Sequence, residues 1–271
     1  MQVKVLGSVA PYPKGSMNCS SFLVSENGTN IMLDTGFSCS RELDILRDLK
    51  NLSIIISHYH PDHYGDLTAI ANMSYIAHKL GYLDSKIDVY LPEPIRERNH
   101  NYGEWKTPKF MPSNPIDYDY LVNSKNVNYF NFHKYKSSTK LHIGTLSIYF
   151  SKNIHPIDAY AIKIESSDAS LVYSSDTDYR DSLSDFSQNT DLLICEASFL
   201  KGQCKGSSGH LYAYEAGRIA KNSNAKSLYL FHTFPEIEKE KYIEEAREEF
   251  AMTSSLSEGQ IIKLERKKKN D

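Results

Sequence analysis

Leu52-Ser53-Ile54-Ile55-Ile56-Ser57-His58-Tyr59-His60-Pro61-Asp62-His63 is the stretch on which the reading of the chain turns. The first half is apolar and short, as a buried strand would be. The second half places four potential metal ligands, His58, His60, Asp62 and His63, within six residues. Imidazole nitrogen and carboxylate oxygen suit zinc and similar divalent ions, and a catalytic site keeps a position open for water. A chain that leaves a strand at His58 and turns at Pro61 sends neighbouring side chains to opposite sides of a metal pair.

Outward from this stretch the elements alternate. Val3 to Leu6 reads as a strand, followed by a Gly-, Pro- and Ser-rich loop. Ser21 to Ser25 and Asn30 to Leu33 flank Asn27-Gly28, a hairpin signal because both residues tolerate positive φ. The chain then turns at Asp34-Thr35-Gly36. Leu43, Ile45, Leu46 and Leu49 have the spacing of an apolar helix face, which predicts a helix over Arg41 to Leu49 with Ser40 as its cap. Past the motif, Leu67 to Ile76 has helical spacing and Lys86 to Leu91 reads as a strand.

Regular patterning stops at Pro92. Residues 92–126 form an aromatic and proline-rich insertion, with five of the chain's ten prolines by Asp119. A loop of this length is usually functional, and a substrate lid, a dimer contact and a surface insertion all fit it. Further strands read at Val127 to Phe132, Thr145 to Phe150, Ala159 to Ile164, Ser170 to Tyr173, Asp191 to Ile194, Ser227 to Phe231 and Gln260 to Leu264. Helices read at Tyr212 to Lys221 and Glu236 to Phe250. Strands in hairpin series closed by helices point to an α/β fold of two sheets with helices outside, not to a doubly wound parallel sheet.

The 271 residues are 40% hydrophobic and 24% charged, values of an ordinary globular chain, read as one domain over 1–271. A net charge of -3 gives no general argument for nucleic-acid or membrane binding, and Lys267-Lys268-Lys269 reads as a solvated tail. No apolar run reaches the ~18 residues of a membrane span. Cys19, Cys39, Cys195 and Cys204 show no CxxC pairing, which reads as a cytoplasmic protein with reduced thiols. Cys195 is expected to be a small core residue, with a metal-ligand role the alternative.

Three more candidate ligands stand at strand ends: His155 in Asn153-Ile154-His155-Pro156, Asp176 in Tyr173-Ser174-Ser175-Asp176-Thr177, and His232 in Leu230-Phe231-His232-Thr233. With His58, His60, Asp62 and His63 before them in this order, the chain resembles the metallo-β-lactamase superfamily and its HxHxDH motif. The resemblance covers most of the chain. It implies a four-layer αββα sandwich with the metals at one edge between the sheets. One ion would take His58, His60 and His155, the other Asp62, His63 and His232, and Asp176 would bridge them. Zinc, manganese or iron would suit such donors.

Asp191-Leu192-Leu193-Ile194-Cys195-Glu196-Ala197-Ser198-Phe199 resembles the ribonuclease Z segment with a Glu-Ala-Thr/Ser motif, and Gly209-His210 resembles its Gly-His-Ser/Thr segment. The resemblance implies that Glu196 orients His210, that His210 protonates the departing oxygen, and that Asp62 helps orient the nucleophile. In tRNA-processing members an arm that grips tRNA lies between the segments matching His155 and Asp176; here a strand, a turn and a strand fill that interval. Compact, armless relatives include the anti-Pycsar phosphodiesterases, which open cyclic mononucleotides in antiviral signalling. The expectation is a dinuclear-metal phosphodiesterase acting on 3′,5′-cyclic mononucleotides, possible as a homodimer. A ribonuclease Z-like RNA endonuclease, a thioester or lactone hydrolase of the same fold, and a non-catalytic nucleotide-sequestering protein are the alternatives.

Overall fold

The computed structural model describes residues 1–93, 129–206 and 208–264. The expected 92–126 insertion, save its first two residues, and the Lys267-Lys268-Lys269 tail lie outside the described residues.

Among the described residues the strands form two seven-stranded sheets. The first contains β1 (Gln2–Gly7), β2 (Ser21–Glu26), β3 (Thr29–Leu33), β4 (Leu52–Ile55), β5 (Ile87–Pro92), β6 (Phe130–Tyr135) and β14 (Ile261–Lys263), in the order β14-β1-β2-β3-β4-β5-β6. The second contains β7 (Lys140–Ile143), β8 (Leu146–Lys152), β9 (Tyr160–Glu165), β10 (Ser170–Tyr173), β11 (Leu192–Glu196), β12 (Leu228–Phe231) and β13 (Thr253–Ser255), in the order β13-β12-β11-β10-β9-β8-β7.

Period-2 alternation decides which residues face which layer. Ile31 and Leu33 point into the core between the sheets, where they join Phe22, Ile55, Ile162, Tyr173, Ile194 and Phe231. Met32 points the other way, with Ile54 and Val89, toward α2 (Leu67–Lys79), whose Leu67, Ile70, Ala71 and Ala77 cover that face. The outer face of the second sheet, with Val172, Leu193 and Leu230, is covered by α3 (Asp181–Phe186), α4 (Ala213–Asn222) and α5 (Lys239–Arg247) through Leu183, Ala216, Ile219, Tyr242 and Ala246. The four-layer αββα arrangement is therefore present. Each large apolar side chain sealed in these layers contributes ~1.5–3 kcal/mol relative to exposure.

Three expectations need correction. Antiparallel pairing accounts for only half of each sheet: β3-β4-β5-β6 and β10-β11-β12-β13 pair in parallel. Helices provide several of the crossovers, α2 between β4 and β5 and α3, α4 and α5 between β10 and β13, and parallel pairing needs such crossovers. The helix over Arg41 to Leu49 is absent; a single 3-10 turn, Cys39–Glu42, stands there, with Ser38 at its start. Ser40 caps nothing and instead donates from its backbone N–H and hydroxyl to Asp66. Asp44 Oδ1 accepts from the backbone of Leu46 and Arg47, and Asp48 Oδ2 accepts from the backbone of Asp44. These local side-chain bonds take the amides a helix would have used. The last helix is also shorter than expected, ending at Arg247.

The parallel halves bring the C-terminal ends of β4, β10, β11 and β12 to one edge of the sandwich. His58, Asp176, Glu196 and His232 are all delivered there.

Candidate metal centre and active site

α1 (Pro61–Tyr64) begins with His60 as its N-cap and Pro61 at its first position, which removes a backbone N–H that a helix start leaves unpaired. This one turn aims His60, Asp62 and His63 in different directions from the end of β4. It is locked to the Asp34-Thr35-Gly36 turn, because Thr35 N–H donates to the His63 carbonyl and Asp66 N–H donates to that of Thr35. The Cβ of any residue replacing Gly36 would lie 2.3 Å from the Asp62 carbonyl oxygen, so only glycine permits the approach.

The other two loops are tied to each other. Asn153 Nδ2 donates to the carbonyls of Ser174 and Asp176, and Arg180 donates to Asn153 Oδ1. His155 and Asp176 are thereby held in register. Asp34, Ser175 and His232 have φ of 58°, 52° and 59°, a left-handed conformation that non-glycine residues rarely adopt, and all three stand at strand ends on this edge.

All seven candidate ligands meet here. His58, His60, His155 and Asp176 form one group, and Asp62, His63 and His232 another, with ligand atoms within 4.8 Å in each. His60 Nδ1 is 3.1 Å from His58 Nε2 and 3.0 Å from His155 Nε2. Nitrogens bound tetrahedrally at zinc distances stand about 3.3 Å apart, so this spacing is close to that of ligands around one ion. Asp176 lies between the groups: its Oδ2 is 3.6 Å from His58 Nε2 and 3.1 Å from His232 Nε2, and its Oδ1 is 3.3 Å from His63 Nε2. Asp62 Oδ2 is 3.3 Å from His232 Nε2 and 3.7 Å from His63 Nε2.

The hydrogen bonds behind these atoms fix the tautomers. His63 Nδ1 faces Asp34 Oδ2 at 2.7 Å and His155 Nδ1 faces the Gly209 carbonyl at 3.0 Å. Acceptors that cannot donate require N–H at both Nδ1 atoms. Each Nε2 is left to act as a ligand when the ring is neutral, the pattern of histidines that hold metals. The Nε2 atoms of His63 and His232 and Oδ1 of Asp176 are buried without a hydrogen-bond partner, although they crowd together. A divalent cation would satisfy all three at once, and the donor set fits one.

Electrostatics divides the centre. Burial and neighbouring imidazoles push His58 well below the usual histidine range, and burial with His155 lowers His60 to about 4. Burial also lowers His155. These three rings are neutral donors. Across Asp176 the balance reverses: burial opposes charge on His232, but Asp176 and Asp62 outweigh it and raise the ring to about 10. His63 is likewise raised, by Asp176, Asp34 and Asp62 against burial. Burial would raise Asp176, yet His232 and His63 hold it well below the carboxylate range; His63 and His232 similarly lower Asp62. The pocket therefore concentrates negative charge that calls for cations.

The structure brings Glu196 and His210 together, with His210 Nδ1 3.0 Å from Glu196 Oε1 and 3.9 Å from Asp176 Oδ2. The His210 ring stacks on His232 at a centroid distance of 5.0 Å and meets His155 edge-on at 5.2 Å. Burial lowers the ring's basicity, but Glu196 more than offsets this and raises it. Cys195, by contrast, is a fully buried core residue under the helices. All four cysteines are free.

Asp34, Ser57, Tyr173 and Ser198 escaped the sequence reading. Asp34 sits in what reads as a turn, yet it accepts from Ser57, Tyr173 and His63. The signal that could have found it is positional: it is the first polar residue after the apolar end of β3, on the edge where Ser57 and His58 follow β4.

The model of the anti-Pycsar protein Apyc1 family matches residues 1–251. The chain is 28% identical over 233 residues to the probable metallo-hydrolase YhfI of Bacillus subtilis (strain 168), covering 86% of each chain. The YhfI crystal structure, a metallo-β-lactamase fold protein, superposes with a TM-score of 0.80 over 96% of this chain and 98% of that one, at 25% identity. A ribonuclease Z of Saccharolobus solfataricus is 28% identical over 272 aligned positions, covering 88% of this chain and 90% of its own. A diphosphatase from the PhnP family shares the fold, with a TM-score of 0.68 at 17% identity over 98% of each chain. Among the described residues no helix is long and apolar enough to cross a membrane. The chain belongs to the anti-Pycsar protein Apyc1 family, within the metallo-β-lactamase superfamily.

Proposed function

We propose that this protein is a dinuclear-metal phosphodiesterase that opens 3′,5′-cyclic mononucleotides to linear nucleotide monophosphates and so counteracts cyclic-nucleotide antiviral signalling. That the chain is a metal-dependent hydrolase follows from its kinship and its His/Asp centre. The finer reading is carried by the Glu196–His210 pair, 3.0 Å apart and beside Asp176. A phosphodiester with a ribose leaving group needs a proton on its departing oxygen, whereas a thioester, whose thiolate departs without one, has less use for such an acid.

In this reading His58, His60 and His155 would hold one divalent ion and Asp62, His63 and His232 the other, with Asp176, which lies between the two groups, available to both. Zinc is the first candidate, and manganese or iron would also suit the donors. Bound ions supply Lewis acidity toward a phosphoryl oxygen and make water a better nucleophile at neutral pH. Asp62 accepts a hydrogen bond from the attacking water and orients it. With Nδ1–H engaged by Glu196, His210 offers Nε2–H to the leaving ribose oxygen on the opposite side.

The family match supports a cyclic-nucleotide substrate. The Saccharolobus relative favours an RNA endonuclease instead. Against that reading stands the path from His155 to Asp176, which runs through the β9–β10 hairpin and a tight Ser166–Ala169 turn, with no arm to grip tRNA. The test is incubation of metal-loaded protein with a panel of cyclic purine and pyrimidine nucleotides, with and without chelator, followed by mass spectrometry. Gain of one water by a cyclic nucleotide, blocked by chelator, is expected. Cleavage of bis-(4-nitrophenyl) phosphate with the whole cyclic panel intact overturns the substrate reading. Turnover of S-lactoylglutathione alone overturns the phosphodiesterase reading.

A further inference from the structure

Ser198 lies fully inside the protein and touches both halves of the machinery. Its Oγ is 2.9 Å from Glu196 Oε2 and 2.8 Å from His232 Nδ1. An ionised carboxylate only accepts, so the single hydroxyl proton goes to Glu196. Ser198 must then accept from His232, which places the His232 proton on Nδ1 and leaves Nε2, buried and otherwise unpartnered, to face a cation. Glu196 is in turn fully engaged: Oε1 accepts from Thr177 N–H and His210, and Oε2 from the N–H and hydroxyl of Ser198. One unbroken chain of hydrogen bonds thus joins His232 to His210 through Ser198 and Glu196.

We propose that Ser198 is a positioning residue that couples metal affinity at His232 to the proton donor His210, an inference that rests on the metal-centre reading above. The Glu196 charge polarises the Ser198 hydroxyl, which then accepts more strongly from His232 Nδ1–H and makes Nε2 the better donor. The same bond holds Glu196 Oε2 away from His210, so that Oε1 alone orients its ring. Glu196 has a second route to the centre, because it also accepts from Thr177 N–H, next to Asp176. The two routes predict different behaviour in combination.

The experiment is a double-mutant cycle on metal affinity, measured by chelator competition with Zn²⁺ and with Co²⁺, whose visible spectrum reports the ligand field. Ser198→Ala should weaken the more loosely held equivalent by roughly 10- to 100-fold, the range found when such supporting partners are lost. Glu196→Gln should weaken it several-fold when Ser198 is present and less than about 2-fold in the Ser198→Ala background, because the route is already cut. An equal effect of Glu196→Gln in both backgrounds overturns the proposal and assigns the influence of Glu196 to Thr177. Ser198→Thr, which keeps the hydroxyl, should restore affinity and the Co²⁺ spectrum. Should Ser198→Ala fail to fold, Ser198→Thr against Ser198→Cys, a poor donor of similar size, gives the same contrast. A second readout addresses the acid: Ser198→Ala should slow phenyl phosphodiesters more than 4-nitrophenyl ones, and equal slowing of both overturns the coupling to His210. If no phosphodiester is cleaved by the unmodified protein, the proposed function fails while the affinity cycle still decides the role of Ser198.

Discussion

His63 Nδ1 lies 2.7 Å from Asp34 Oδ2, and both side chains are fully buried. Asp34 accepts at the same oxygen from the Tyr173 hydroxyl at 2.6 Å and from the Ser57 hydroxyl at 2.7 Å. Tyr173 also packs against Phe22 and Phe231 in the core between the sheets, with ring centroids 5.5 and 4.9 Å away. One carboxylate therefore connects the packed centre of the sandwich to a candidate ligand on its edge, so that core packing sets where the His63 ring points.

Asp34→Asn tests this connection while keeping both the side-chain volume and a residue that tolerates left-handed φ. The amide cannot accept from His63, from the Tyr173 hydroxyl and from both the hydroxyl and the backbone N–H of Ser57, and turns an N–H₂ toward at least one of them. Metal affinity should fall roughly 10- to 100-fold. The metal-free variant should also lose about 2–3 kcal/mol in urea unfolding, the cost of leaving a buried donor unpaired. Unchanged affinity with reduced stability would mean that Asp34 serves the core alone.

Metal removal makes a separate prediction. The crowded His63 Nε2, His232 Nε2 and Asp176 Oδ1, buried without a hydrogen-bond partner, gain a common one when a cation is bound. Binding to the folded state alone stabilises it, by about 2.7 kcal/mol when free metal is 100 times the dissociation constant. Chelation should lower Tm and added Zn²⁺ or Mn²⁺ should restore it, with the shift growing with metal concentration. A Tm insensitive to chelator, in protein shown by metal analysis to be depleted, contradicts the metal-centre reading.

Gly209 joins the two functional halves through the backbone. Its φ is +74°, and its carbonyl accepts from His155 Nδ1. A Cβ there would stand 2.8 Å from Pro156 Cδ and 2.9 Å from His155 Nδ1. Gly209→Ala should therefore displace both His155 and the adjacent His210, reducing kcat on a phosphodiester by at least about tenfold, since small misplacements near a reacting centre are costly. Gly202, also at positive φ but with open space around its Cβ position, is the control, and Gly202→Ala should change kcat by less than about 2-fold. Equal effects at both positions would show that backbone strain, not the contact with His155, is responsible.

What the sequence revealed of this site follows from the kind of signal each residue leaves. His58, His60, Asp62 and His63 lie on one turn after an apolar strand, and His155, Asp176 and His232 also follow apolar strands, so local pattern was enough to find them. Asp34 also follows an apolar strand, but it and Ser198 act through partners 29 and 34 positions away, and without those partners one reads as a turn residue and the other as a small core residue. The same limit explains the expected helix over Arg41 to Leu49. Its apolar spacing was genuine, but Asp44 and Asp48 bond the nearby backbone and Lys4 reaches in from β1 to Asp48 and the Glu42 carbonyl. Apolar periodicity records which side chains can be buried; it does not record which amides have already found a side-chain acceptor.

Asp191 gives a pH-dependent test of how the site is kept in register. It stands just before β11 and accepts from the backbone N–H and hydroxyl of Ser170, the first residue of β10, and it pairs with Lys226 at 2.6 Å. Fixing the start of this parallel pair sets the far ends, where Asp176 and Glu196 emerge. Burial would raise the Asp191 carboxyl, but Lys226 and Ser170 outweigh burial and hold it below the usual value. A carboxylate depressed on folding stabilises the protein above its unfolded pKa, about 3.9, and that contribution disappears as pH falls through the folded value. Asp191→Asn should therefore cost about 2 kcal/mol in urea unfolding at pH 7, in the range of hydrogen bonds to a charged group. The gap from the unmodified protein should narrow steadily below about pH 4. A gap as wide at pH 3 as at pH 7 would show that the Asn amide itself, not the loss of charge, disrupts the β10–β11 pair.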